Sequence, residues 1–119
     1  DGVFHYRPHR HDLEAVSEDD VRLRLFSGAV SQDAVRDAPA VFVVAAVFSR
    51  TEAKYGDRAV RYVHIEAGHV AQNVLLQATA LGLGAVPVGA FDDTAVSEII
   101  GLPTDHEPLY LLPVGRPRG

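Results

Sequence analysis

Cysteine, methionine and tryptophan are absent from this chain, and lysine occurs once, at Lys54, against ten arginines. Without cysteine there is no disulfide, no thiolate metal site and no cysteine nucleophile. Basic charge is scarce: 11 Lys and Arg stand against 16 Asp and Glu, a net charge of −5, with no basic run. That balance argues against a nucleic-acid surface. Long apolar stretches are missing too. The run Ala40–Phe48 is far too short to span a bilayer, and no stretch has the charged, apolar, small-residue order of a signal peptide. A cytoplasmic protein with no membrane partner is the expectation. The lack of methionine extends to position 1, where the chain opens Asp1-Gly2-Val3. Processing would produce this, and so would a piece of a longer polypeptide; the piece is the favoured expectation.

What is present suits one folded unit. Residues 1–119, 47% apolar and 23% charged, read as a single domain with one core. Val3–Arg7 alternates apolar and polar and reads as a strand ended by Pro8, with Arg10–Glu14 as its hairpin partner. Ser17 and Asp20 have capping-box spacing, which predicts a helix from Glu18 that fades near Gly28. Ser31–Asp37 reads as a short helix closed by Ala38-Pro39. Ala40–Phe48 is continuously apolar, with β-branched and aromatic residues, and reads as a strand buried on both faces.

Val63, Ala67, Val70, Val74, Ala78 and Leu81 recur at spacings of three and four, predicting one helix from about Asp57 to Leu81. Ala71, Leu75 and Leu76 widen its stripe. A helix so long and apolar in a small domain is central or packs on a partner chain, so a homodimer is expected. Gly82 and Gly84 end it. Ala85–Val88 reads as a short strand broken at Pro87. Asp92 or Asp93 caps a helix running to Ile100, which Gly101 and Pro103 stop. Leu109–Val114 is a last strand, and Pro113 signals that one of its edges is free or irregular. This order predicts an α+β fold with helices on a small sheet and one long central helix.

Several residues invite chemical readings. Glu66 and His69 form an ExxH pair, but a carboxylate-bridged metal site needs that pair twice. His69 is instead expected to hydrogen-bond Glu66 or Asn73 in a buried helix interface, with Asn73 satisfying a polar gap there. His9 and His11 share a strand face near His5, without a convincing third zinc ligand, so no metal is expected. Arg58 and Arg61 fall on the first turn of the long helix, the wrong end for cations. Pairing with Asp57, Glu66 or a partner chain is one reading, and solvated arginines are another. Gly89 follows a short apolar run where no helix needs stopping, so it is the glycine best placed to let backbone approach a planar cofactor. No P-loop, GxSxG elbow or dinucleotide fingerprint occurs.

The blocks KYGDRAVRYVHIEAGHVAQN (residues 54–73), ALGLGAVPVGAFDD (80–93), PLYLLPVGRP (108–117) and the opening GVFHYRPHRHDLE (2–14) together resemble the nitroreductase-like flavoproteins. Within that family they look most like the branch of azoline dehydrogenases that make thiazoles and oxazoles in peptides. The resemblance implies an α+β nitroreductase-like fold that dimerises through long helices and holds FMN in a groove at the interface. It implies hydride transfer at flavin N5, oxidising an azoline ring to an azole in a small-molecule or modified-peptide substrate, or reducing a small organic acceptor. By the same resemblance Pro87, Val88, Gly89 and Ala90 line the isoalloxazine ring. Lys54 and Tyr55 match the pair assigned to proton abstraction, a role for which burial would suit the lysine. In the family an arginine- and serine-rich segment that grips the FMN phosphate lies upstream of the stretch corresponding to Asp1. The chain is therefore expected to be the C-terminal portion of such a domain, with Arg116 and Arg118 as candidate phosphate contacts. Two further readings stand beside this one: a non-catalytic dimerisation or scaffold module that has lost the flavin, and one half of a split flavoenzyme with a separate N-terminal half.

Overall fold

A computed structural model describes residues 1–118. Its elements in chain order are β1 (Val3–Arg7), β2 (Asp12–Ser17), α1 (Arg22–Gly28), α2 (Asp33–Asp37), β3 (Ala40–Ala46), α3 (Phe48–Tyr55), α4 (Ala59–Ala80), β4 (Gly84–Ala85), α5 (Asp93–Ile100) and β5 (Glu107–Gly115). A 3₁₀ turn, Gly56–Arg58, joins α3 to α4. The architecture is α+β, as the element order implies.

β5 is the middle of a three-stranded antiparallel sheet ordered β3-β5-β4, and β1 and β2 form a separate antiparallel ribbon. Leu111 and Leu112 of β5 are both fully buried. Successive strand residues point to opposite faces, so both faces of β5 must be covered. On one side Leu111 joins Leu25, Ala29, Val35, Val96 and Ile100, contributed by α1, α2, α5 and the α1–α2 connection. On the other, α4 lies across β3, β5 and β4 and buries Ala59, Val63, Ala67, Ala71 and Ala78. Its small residues let the helix approach the sheet closely. Val3, at the root of the ribbon, packs on the first of these cores.

Several expectations need correction. Ala40–Phe48 is not a strand covered on both faces: β3 stops at Ala46 and lies at the sheet edge, leaving Phe42 54% exposed. Phe48 opens a helix, α3, which has neither an N-cap side chain nor a buried residue to announce it. The capping box does not form. Ser17 ends β2 and accepts from Asp19 N–H, while Asp20 accepts from Arg22 N–H, so α1 starts four residues late. The stripe on α4 is narrower than its sequence suggests, with Val70 47% and Leu81 65% exposed. His69, Glu66 and Asn73 are exposed in the single chain rather than buried between helices.

Pro113 behaves as an irregularity in the middle of the sheet. An antiparallel residue directs its N–H and C=O to the same neighbour. The Pro113 carbonyl accepts from Val86 N–H at 3.3 Å, so its missing N–H also faces β4. The ladder to that side is broken there and resumes at Val88↔Leu111.

Candidate active site

Residues 87–90 run out of β4 with their back fixed and their front open. Val88, 2% exposed, exchanges two backbone hydrogen bonds with Leu111, at 2.8 and 3.0 Å. From behind, the α1–α2 connection holds the segment. Asp92 N–H donates to the Gly28 carbonyl at 2.9 Å, and the Gln32 side-chain amide donates to the Ala90 carbonyl at 3.3 Å. That connection is strained, with Val30 and Ser31 both at φ 54°, a region a β-branched residue resists. Pro87, Gly89 and Ala90 remain exposed. Among the described residues, neither the Gly89 nor the Ala90 N–H donates to a protein acceptor. Nothing local requires a glycine at 89. A Cβ built there would meet only Tyr110 Cε1, at an ordinary 3.7 Å, and its φ lies outside the left-handed range.

Lys54 and Tyr55 close α3. Gly56 follows at φ 55°, ψ −130°, with open space around its would-be Cβ. Here the backbone itself demands glycine, because an L side chain resists positive φ. This turn folds Tyr55 back onto the start of α4, where its ring meets Tyr62 edge-to-face at 5.1 Å. The Lys54 amine lies 5.2 Å from the Tyr55 ring centre. Arg58 Nε donates to Tyr62 Oη at 3.0 Å, not to Asp57 or Glu66. Lys54 and Tyr55 are both exposed in the single chain, so the burial expected of a proton-accepting lysine is not supplied by this chain alone.

Arg116 and Arg118 lie in a groove of about 410 Å³ lined also by Asp33, Asp37, Val86 and Pro113. Arg118 Nη2 donates to Asp37 Oδ2 at 2.5 Å, and Arg36 Nε donates to Asp37 Oδ1 at 2.7 Å. Arg36 first, with Arg118 adding to it, holds the Asp37 carboxyl below the usual carboxylate range. The groove therefore carries charges of both signs.

The sheet register sorts these residues into two groups. Gly84 pairs with Gly115 and Val88 with Leu111, so these two pairs are roughly 13 Å apart along the ladder at about 3.3 Å per residue, and Arg116 and Gly89 lie one step beyond them at opposite ends. β3 ends with Ala46 opposite Glu107, so α3 leaves the sheet from the end nearer Gly89 and Ala90. The hydrogen-bond and ring partners of Lys54 and Tyr55 are not shared with residues 87–90. Sequence reading missed Gln32 and Tyr62. No local signal marks Gln32, whereas Tyr62 is an aromatic at i+4 from Arg58 on a helix, a spacing that places them side by side. Among the described residues there is no group of three His, Cys, Asp or Glu side chains placed to hold a metal. No helix among them is long and apolar enough to cross a membrane.

These features sit on a fold with known relatives, and the chain belongs to the Nitroreductase family, whose profile matches residues 2–116. It is 47% identical over 116 residues to MJ1384 of Methanocaldococcus jannaschii, a protein assigned to the nitroreductases, covering 98% of this chain and 58% of that protein. Among solved structures, one assigned to the nitroreductases from Anabaena variabilis superposes with a TM-score of 0.92 at 36% identity, covering 98% of this chain and 24% of that one. The NADPH:FMN oxidoreductase of Vibrio harveyi, complexed with NAD⁺, superposes at 0.71 with 27% identity, covering 83% of this chain and 46% of that one. The chain thus spans less than two thirds of the length of each of these proteins. Family members typically bind flavin, and the Vibrio harveyi protein is by name an FMN oxidoreductase.

Proposed function

We propose that the polypeptide is an FMN-dependent oxidoreductase of the azoline-dehydrogenase branch, of which residues 1–119 are the C-terminal portion. One observation carries the reading: an exposed backbone strip at Gly89–Ala90, tethered from behind, with two free N–H groups and no side chain at 89. A flat ring can approach such a strip edge-on, and its heteroatoms can accept from those N–H groups. The residues present fit that part of the cofactor. They fit the phosphate less well. Arg118 pairs with Asp37 through one of its donors, so a phosphate held there would lie beside a carboxylate, and Arg116 is the contact without that neighbour.

Bound at this strip, FMN supplies a hydride acceptor at N5. The chain's own residues do the rest. Gly89 and Ala90 N–H groups orient the ring edge, and Val88 and Gln32 keep that backbone from shifting. Lys54, in its neutral form, accepts at Nζ the proton that an azoline ring loses together with a hydride, and Tyr55 places the amine. A dry site over Lys54 comes from a second copy. Family members are often dimers, and α4 offers the half-exposed Val60, Ile65, Val70 and Leu76 for such contact. Ile65 and Leu76, eleven residues apart, share the face turned away from the sheet, while Val60 and Val70 flank the stripe that meets it. A split enzyme, whose separate N-terminal half grips the phosphate, is the second reading, favoured by the Arg118–Asp37 pair.

The test is to incubate the purified chain with excess FMN, desalt it and record the visible spectrum. A retained flavin band supports the first reading. Retention only when a co-purifying polypeptide is added supports the split enzyme. A dimer that holds no flavin under either condition, and none when the polypeptide includes the upstream segment, contradicts both and favours a non-catalytic scaffold.

A further inference from the structure

The turn between α3 and α4 threads two rings between two cations. Lys54 Nζ lies 5.2 Å from the Tyr55 ring centre. The Tyr55 and Tyr62 rings cross at 88° with their centres 5.1 Å apart. The Arg58 guanidinium lies 5.5 Å from the Tyr62 ring centre while its Nε donates to Tyr62 Oη. We propose that Arg58 and Tyr62 are positioning residues that fix the Lys54 amine through the Tyr55 ring. This rests on the reading of Lys54 as a proton acceptor.

The chemistry of the four groups supports that division of roles. A cation is attracted to a ring's negative face, and a ring edge to a neighbouring ring's face, so each contact favours one orientation of the next group. Tyr62 is the anchored member: it sits on α4, is half-buried, and has its hydroxyl oxygen engaged by Arg58. Arg58 occupies a helix N-terminus, an end that disfavours cations, and among the described residues it makes no ion pair there. A solvated arginine has no reason to stay at that end. One that steadies a ring does. Every other cationic side chain here except histidine is an arginine, which keeps its proton at any working pH. The one side-chain amine stands at the end of this stack.

The single lysine makes the test direct. Reductive methylation of the 119-residue chain with ¹³C-formaldehyde labels its two amines, Lys54 and the N-terminal amine, giving two resolvable signals. The Lys54 methyl signal is expected upfield of free dimethyl-lysine, because it lies over the Tyr55 ring. Tyr55→Leu should return it to the free position. Tyr62→Leu and Arg58→Gln should move it part of the way back, and Tyr62→Phe, which keeps the ring but loses the Arg58 hydrogen bond, by less than Tyr62→Leu. The N-terminal signal should not move in any variant, and circular dichroism shows whether each is folded. A Lys54 signal at the free position in the unsubstituted chain overturns the proposal. So does a signal indifferent to Tyr62→Leu, Tyr62→Phe and Arg58→Gln. The proton role is tested separately, by flavin reduction with a thiazoline-containing peptide. If Lys54→Ala leaves that reduction unchanged while the methyl signature holds, the catalytic reading falls and the positioning stands.

Discussion

Replacing Gly89 with alanine should move stability and flavin affinity in opposite directions. Without cofactor the folded chain has room for the methyl group, since a Cβ at 89 meets only Tyr110 Cε1 at 3.7 Å and the backbone is not in the left-handed region. Alanine then restricts the unfolded chain more than the folded one, a gain of about 0.4–1 kcal/mol. With an unfolding entropy of about 2.1 cal/mol/K per residue, a chain of 119 residues should melt about 2–4 °C higher. With FMN the same methyl stands between the strip and the ring and lengthens the contacts of two N–H donors. At about 0.5–1.5 kcal/mol for each hydrogen bond, Kd should rise about 5- to 150-fold. Calorimetry of the cofactor-free protein and a fluorescence titration with FMN read the two effects. An alanine variant that binds FMN as tightly as the parent would remove the ring from Gly89. One that melts lower without flavin would contradict the local geometry.

Asp92→Ala removes the side chain that accepts from Ala95 N–H at 2.9 Å at the start of α5, and urea unfolding should show a loss of about 0.5–2 kcal/mol. Gly56→Ala forces an L side chain to φ 55°, and should lose about 1–2 kcal/mol in the same assay. Asp20 is held down to about 2, chiefly by its hydrogen bonds from the Arg22 side chain. Its folded pKa is below its unfolded one, so its contribution is present above about pH 4 and lost as pH falls toward 2. Asp20→Asn should flatten the acid limb of stability in that window, measured by thermal melts from pH 6 downward.

α5 was legible because its signals are local. Asp92 caps it and Gly101 ends it at φ 71°, so neither boundary depends on distant packing. The end of α4 was legible for the same reason, with Gly82 at φ 72° and Leu83 N–H reaching back to the Ala78 carbonyl. Strand order was not legible. AVFVVAA reads as an inner strand, yet β3 lies at the edge and the proline-containing β5 lies in the middle, because pairing between distant segments decides position. α3 was missed because FSRTEAKY is only two turns long and mostly polar, and Val47 caps nothing. Of the site, Gly89 stood out as a glycine with no turn to make. Gln32 did not, since its bond to Ala90 joins residues 58 apart. The Tyr55–Tyr62 contact depends on the reversal at Gly56 and on the 3₁₀ turn after it, which no periodicity in the sequence announces.

The most direct test of the central claim is an amide NMR titration of the ¹⁵N-labelled chain with FMN. The account predicts that the Gly89 and Ala90 N–H signals move first and furthest, because those two donors face the ring, while α1 and the β1–β2 ribbon stay still. Shifts absent from residues 87–90, or concentrated elsewhere, would contradict it.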